Sequence, residues 1–498
     1  MKRKTWSYPI IPFIIGILVL PMSLTLCKKE DKTIDLVDTV LQVPVVTTNA
    51  TSNITVTTAT SGGNVTSDGG APVTARGVCW STSQTSVITN NKTTDGSGTG
   101  NFSSNLTNLY QGTTYYVRAY ATNSAGTAYG ALQTFTTGYD STEPSFFPIA
   151  VWLQDPINAS AYKDNGINMF VGLWNGLDYD QLDLLRSASV KVICAQNNFG
   201  LSVINEPIIY GWMIDGDEPD NAQWNATTQT YDPCINPSII INDYHVIKHN
   251  DPSRPVYLNL GQGVAYNSYI GRGTCSGNLD TYKISSGGYL LGCDIASFDI
   301  YPVNNTDGQT NNKLWYVATG IQNLITWSGN KPSWCWIETT RISDSSPRKP
   351  TTSEVKSEVW MGLIHGAKGF GYFCHSFVTS STDEAALLHD PVMIKAVKDI
   401  NAQVTFLASV LNSQNTSEYA TVEVDNSMVP VDLMTKNYGG ANYVFAIAMR
   451  SGETTATFSV SSGNSVEVLG EGRFINITNG KFSDDFSSYS VHIYKITI

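Results

Sequence analysis

Tyr210-Gly211-Trp212-Met213-Ile214-Asp215-Gly216-Asp217-Glu218-Pro219-Asp220 decides the reading of this chain. An apolar β-type run over 208–214 stops abruptly in Asp215, Asp217 and Glu218, and Pro219, which cannot donate a ladder hydrogen bond, ends the strand. A buried strand that terminates in carboxylates is what the C-terminal face of a parallel barrel needs for chemistry. The stretch also fits a solvated acidic turn, and short acidic motifs alone discriminate poorly. A second strand end of the same kind, Trp334-Cys335-Trp336-Ile337-Glu338, favours the catalytic reading.

Outward from this stretch, residues 146–410 alternate strand-like and helix-like runs, the pattern of βα units. Strands are expected over 147–153, 168–174, 190–195, 208–214, 256–260, 295–301, 333–337 and 369–373, with helices over 160–165, 179–187, 238–248, 314–327, 352–365 and 390–411. Eight strands in about 265 residues match a (β/α)8 TIM barrel. A doubly wound open sheet is the competing fold, but no glycine-rich phosphate loop follows the first strand. Residues 43–138 are rich in Thr, Ser, Gly and Val, with short strands and turn signals, which reads as a β-sandwich. Residues 412–498 read as a second, C-terminal β-sandwich. The expected boundaries are 1–27 for a signal peptide, 28–42 for a linker, 43–138 for the first sandwich, 139–411 for the barrel and 412–498 for the last domain.

Composition narrows the function. The 498 residues are 41% hydrophobic and 14% charged, with a net charge of −12. That balance argues against nucleic acid and anionic membranes, which attract basic surfaces. It is compatible with a neutral ligand, and 11 Trp and 25 Tyr supply rings able to stack on sugars. A metal-dependent hydrolase would want histidines at strand ends; of six His, His245 and His249 share a helix leading away from the expected mouth. No metal site and no cofactor are expected. None of the eight cysteines forms a metal-binding spacing, and Cys234 with Cys275 or Cys293 is compatible with a disulfide.

At the N-terminus Lys2, Arg3 and Lys4 precede an apolar run over 10–20, then Leu24-Thr25-Leu26-Cys27. This resembles a bacterial lipoprotein signal, although Leu26 stands where that pattern has a small residue. The resemblance implies export, a lipid anchor on Cys27 as the sole membrane contact, and an outer-membrane or cell-surface location in a Gram-negative bacterium, or otherwise secretion. Residues 112–126 resemble the later strands of a fibronectin type III domain, which implies a spacer or a weak binding module.

Glu218 after the fourth strand and Glu338 after the seventh would face each other across a closed barrel. Glycoside hydrolysis needs two such carboxyls, one protonated and one ionised. On these residues the segment 146–410 resembles clan A retaining glycoside hydrolases. The resemblance implies Glu218 as acid/base and Glu338 as nucleophile. Asp217, where that clan usually has Asn, would contact the sugar 2-hydroxyl. Tyr301, in Phe298-Asp299-Ile300-Tyr301-Pro302, would hydrogen-bond the nucleophile. Asp299 is the rival nucleophile and Asp215 the rival acid. Trp152, Trp174 and Trp336 are candidate stacking platforms, and Asn197, Asn259 and His375 candidate hydroxyl ligands, each competing with an ordinary core role. The expected activity is that of a monomeric retaining O-glycosyl hydrolase, endo-acting on a β-linked glycan such as a β-glucan. The competing class is a non-catalytic carbohydrate-binding lipoprotein of a glycan-uptake system, which would need neither Glu218 nor Glu338.

Overall fold

The computed structural model describes residues 41–497 except 56, 82–86, 90, 110–113, 138–145, 175, 272–274 and 417–418. The signal segment with Cys27, most of the linker and the junction around 138–145 lie outside the described residues.

Eight parallel strands close into a barrel: β1 (Ile149–Trp152), β2 (Met169–Val171), β3 (Lys191–Ala195), β4 (Ile209–Met213), β5 (Val256–Leu260), β6 (Ile295–Asp299), β7 (Ser333–Glu338) and β8 (Gly369–Phe373), with β8 returning to β1. Each falls inside or within a residue of its expected run. Helices α1 (Ala159–Asp164), α2 (Tyr179–Ser187), α3 (Asn198–Ser202), α4 (Pro237–Asn250), α5 (Tyr316–Trp327), α6 (Thr352–Ile364) and α7 (Pro391–Phe406) lie between and after them. Strands buried on both faces read as continuous apolar runs, which is why the sequence pattern located them so closely.

The inside of the barrel is packed rather than hollow. Ala150, Met169, Val171, Ile193, Tyr257 and Ile295 fill it with Trp334 and Trp336. The two indoles fit because β8 presents glycines to them: a Cβ on Gly369 would lie 2.5 Å from Trp334, and one on Gly371 2.0 Å from Trp336. Trp336 also meets Trp152 edge to face at 5.0 Å and donates its Nε1 to the Tyr257 hydroxyl at 2.9 Å. Outward-facing residues such as Cys335, Ile337, Phe298 and Val192 join the helices in the larger core.

Ahead of the barrel, two antiparallel sheets enclose a separate core built from Val65, Val78, Leu106, Tyr115 and Val117. After it, a three-stranded and a five-stranded antiparallel sheet enclose Val444, Phe458, Phe482 and Tyr494. The five-stranded sheet uses its other face, through Met434, Phe445, Ile447 and Ile493, to extend the barrel's own core. Trp360 of α6 stacks on Phe445 at 5.7 Å. This alternation lets one sheet serve two cores. A cavity of about 1490 Å³ sits among the strand starts and this sheet, lined by Phe146, Lys191, Arg254, Trp334, Lys368 and Lys436. It lies at the end of the barrel opposite the acidic strand ends.

Candidate active site

The turn after β4 carries the central acids. Gly216, with φ +103°, reverses the chain, leaving Asp215 and Asp217 exposed. Glu218 follows in the left-handed region with φ +47° and is 8% exposed. Few residues other than glycine, asparagine and aspartate adopt that backbone, and strain of this kind concentrates at functional sites. The Glu218 carboxyl lies close beside Gly261, just past β5: a Cβ there would come within 3.1 Å of Oε1. The acids sit two to five residues beyond the end of β4, on the turn and not on the strand itself.

What fixes this turn is Asp220. Its Oδ1 accepts from Gly261 N–H at 2.9 Å and its Oδ2 from the Tyr282 hydroxyl at 2.8 Å. Tyr269 donates to the Asp220 carbonyl, and Tyr289 to those of Pro219 and Ile235. Burial pushes the Asp220 carboxyl up to about 6, against the pull of its two hydrogen bonds. Asp220 was legible only as a turn residue, because its three tyrosine neighbours come from about 50–70 residues downstream, too far for any spacing rule.

Asp217 is linked to β5 and β6 by a short relay. Asn259 Nδ2 donates to Asp217 Oδ1 at 2.9 Å, and the Ser297 hydroxyl donates to Asn259 Oδ1 at 2.6 Å. Asp299, at the end of β6, is half-buried, and Tyr301 hydrogen-bonds it. Burial foremost, then the charges of Asp299, Asp217 and Glu338, hold the Tyr301 phenol well above its ordinary value. This differs from the expected pairing with Glu338: the partner of Tyr301 is Asp299, the last residue of β6 and two residues earlier, and Glu338 acts on it as a further charge.

Glu338 closes β7 and is 0% exposed. Its Oε1 accepts from Val303 N–H at 2.6 Å; its Oε2 accepts from Asn304 N–H at 2.8 Å and Asn304 Nδ2 at 2.5 Å. The loop after β6 therefore wraps the carboxyl. Burial raises its pKa, opposed by those three donors and by its contact with Glu358. Asn304, which also donates to the Thr340 carbonyl and accepts from Ile342 N–H, locks this loop to the end of β7. Sequence reading missed it.

The other candidates divide between structure and surface. Trp152 and Trp336 are buried inside the barrel and fill it, so neither offers a face to a ligand. Trp174 is 46% exposed, donates its indole N–H to Glu384 Oε2 at 3.1 Å and meets His375 edge to face. It is the expected platform that remains open. Asn197 caps α3, accepting from Gly200 N–H, and donates to the Leu177 carbonyl, so its amide is committed to the backbone. His375 is buried, its Nε2 within 3.1 Å of the Trp152 carbonyl and 3.2 Å of Gln154 Nε2. Desolvation lowers its pKa, which favours the neutral ring. His245 and His249 lie on α4, leading into β5. Among the described residues no group of three or more His, Cys, Asp or Glu is arranged to hold a metal. Cys234 N–H donates to Cys275 Sγ at 2.8 Å, whereas Cys293 turns to the Leu290 carbonyl.

No protein-family model matches the chain, and no curated protein does. Among solved structures it is similar to AmyP in complex with maltose, at 8% identity and TM-score 0.46, covering 71% of this chain and 97% of that one. It is also similar to a GH30 endoxylanase from Clostridium papyrosolvens C71, at 11% identity and TM-score 0.38, covering 71% and 96%. A catalytic mutant of Gan42B, a GH42 beta-galactosidase from G. stearothermophilus, matches at 8% identity and TM-score 0.44, covering 71% and 98%. Similarity at this level carries no argument about activity or substrate.

Proposed function

We propose that the chain is a glycoside hydrolase that cleaves a neutral, β-linked glycan at the barrel mouth by a retaining, two-carboxylate mechanism. The observation that carries this reading is Glu218: a nearly buried carboxyl on strained backbone at the C-terminal end of β4, with open Asp217 beside it and Asp299 and Glu338 at the ends of β6 and β7. Glycine is unstrained on this backbone and asparagine tolerates it better than glutamate does, so a left-handed glutamate beside exposed acids supports a functional role. In this reading Glu218 protonates the leaving oxygen and later activates water, while a second carboxylate forms the glycosyl–enzyme bond. Asp217, oriented by Asn259, reaches the sugar hydroxyl next to the reacting carbon. Trp174 offers the apolar ring face for an adjoining sugar. Export and tethering through Cys27 would place this cleft against extracellular polysaccharide.

The second carboxylate has two readings. Glu338 fits the opposed-strand arrangement and is held ionisable by three N–H donors. It reaches a substrate only if the loop over 302–305 moves. Asp299 is favoured by one specific observation: it is half-buried instead of enclosed, and it has the tyrosine partner expected of the nucleophile. The experiment is a polysaccharide panel with product sizes and anomeric configuration read out, repeated for Glu338→Ala and Asp299→Ala with added azide. Azide restores turnover, with a glycosyl azide product, in whichever variant lost the nucleophile. Glycan binding without turnover in the wild type would replace this reading with the carbohydrate-binding lipoprotein.

A further inference from the structure

Glu358 lies in the middle of α6, fully buried, and neither of its carboxyl oxygens receives a hydrogen bond from an N–H or hydroxyl donor among the described residues. A buried carboxylate with no donor pays its full desolvation cost. The group that it meets is the carboxyl of Glu338, which is itself buried and already accepts three N–H bonds. Two carboxylates cannot both be ionised in contact at such a site. The hydrogen that can lie between them is a carboxyl proton, as in other carboxyl pairs that hold one proton in common.

We propose that Glu338 and Glu358 share a single proton, with Glu358 as the neutral donor and Glu338 as the carboxylate, making Glu358 the positioning residue for Glu338. The assignment follows from the donors. Val303 N–H and both Asn304 donors are matched to an anion at Glu338, whereas Glu358, lacking donors, is matched to the O–H form. One O–H bond stays on Glu358 and its hydrogen points at a Glu338 oxygen, so the pair carries one negative charge. The surroundings do not supply a second compensating cation. Arg348 is the cation whose field reaches both, but its guanidinium is committed to Glu354, at 2.6 and 2.7 Å. Glu354 on the same helix adds a further negative charge, and Cys335 on β7 and Tyr301 after β6 are neutral neighbours held so by burial. Burial and each other's charge raise Glu358 well above an ordinary glutamate, in keeping with a retained proton.

The pairing stands apart from the proposed function, whereas the positioning role rests on it. Infrared spectra of the full chain, without substrate, test the pairing. The difference between wild type and Glu358→Gln at pH 6 is expected to contain a neutral-carboxyl band lost in the variant. Loss of ionised-carboxylate intensity alone would overturn the proposal. If the variant does not fold, the wild-type spectrum at pH 7.5, above the range of Asp220, is the second measurement; absence of a neutral-carboxyl band there overturns it equally. Thermal unfolding against pH reads the same proton. A native state that keeps a proton the unfolded chain releases loses up to ten-fold in its folding constant per pH unit above about 4.3, the free glutamate value. Glu358→Gln, whose amide donates without titrating, is expected to flatten that slope, and an unchanged slope refutes the sharing. For the positioning role, the pH profile of kcat/KM should shift on its acid limb in Glu358→Gln if Glu338 acts as carboxylate. A neutral-carboxyl band in a chain that turns over no glycan would leave the pair standing and remove the glycosidase reading.

Discussion

Replacing Glu218 by asparagine separates chemistry from architecture at the strained turn. At φ +47° a non-glycine residue pays about 1–2 kcal/mol, and asparagine is among the residues that tolerate this region best. The substitution recovers roughly 1 kcal/mol of strain. Against this, removing one buried methylene costs about 0.8 kcal/mol. The net change in stability is between about 0 and +1 kcal/mol. Because the barrel and the C-terminal sheet share one core, the melting unit spans roughly 350 residues, about 0.7 kcal/mol per kelvin. The midpoint should therefore stay level or rise by about 1–2 °C in calorimetry or near-ultraviolet circular dichroism. Turnover of a soluble glycan, read by reducing-end release, should fall by about 10²–10⁴, the usual contribution of a general acid/base. A residue kept for function against its local preference behaves this way: it gains stability and loses activity when replaced. A midpoint lowered by more than about 3 °C, with activity within ten-fold of wild type, would refute the reasoning and make Glu218 structural.

Asp220 should impose its own pH dependence. Its folded pKa, about 6, lies above the unfolded value, so its contribution is fully present below about pH 4 and lost as pH rises through 6. Asp220→Asn should flatten the wild-type decline, which amounts to about 2–3 kcal/mol; equal slopes in chemical denaturation at pH 4, 5, 6 and 7 would contradict this. Under oxidising conditions Cys234 and Cys275 should form a disulfide while Cys293 stays reduced, because the first two sulfurs adjoin and the third faces a carbonyl. Peptide mapping by mass spectrometry with differential alkylation checks the pairing, and a Cys234–Cys293 or Cys275–Cys293 link would be the contrary result.

The barrel is legible along the chain. Its strands are buried on both faces and separated by amphipathic helices, so composition along the chain encodes topology directly: 256–260 and 369–373 end at the residues expected. Acids placed just after β4 and at the last residues of β6 and β7 were equally legible, since a charge that interrupts an apolar run is a local signal. Tertiary structure alone decided which side chains those acids meet. Tyr301 pairs with Asp299 and not Glu338 because both side chains leave the same strand end, a matter of orientation that spacing does not carry. Trp336 fills the barrel instead of its mouth because Gly371, 35 residues further on, vacates the space for its indole, as Gly369 does for Trp334, and Trp152 packs edge to face against Trp336 there. Asp220 acquires its role from three tyrosines in a distant loop, and Glu358 from a carboxyl at the far end of a neighbouring strand. Hydrophobic periodicity is written along the chain, whereas hydrogen-bond partners and shared protons arise from closing the barrel, which brings together residues with no relation in sequence.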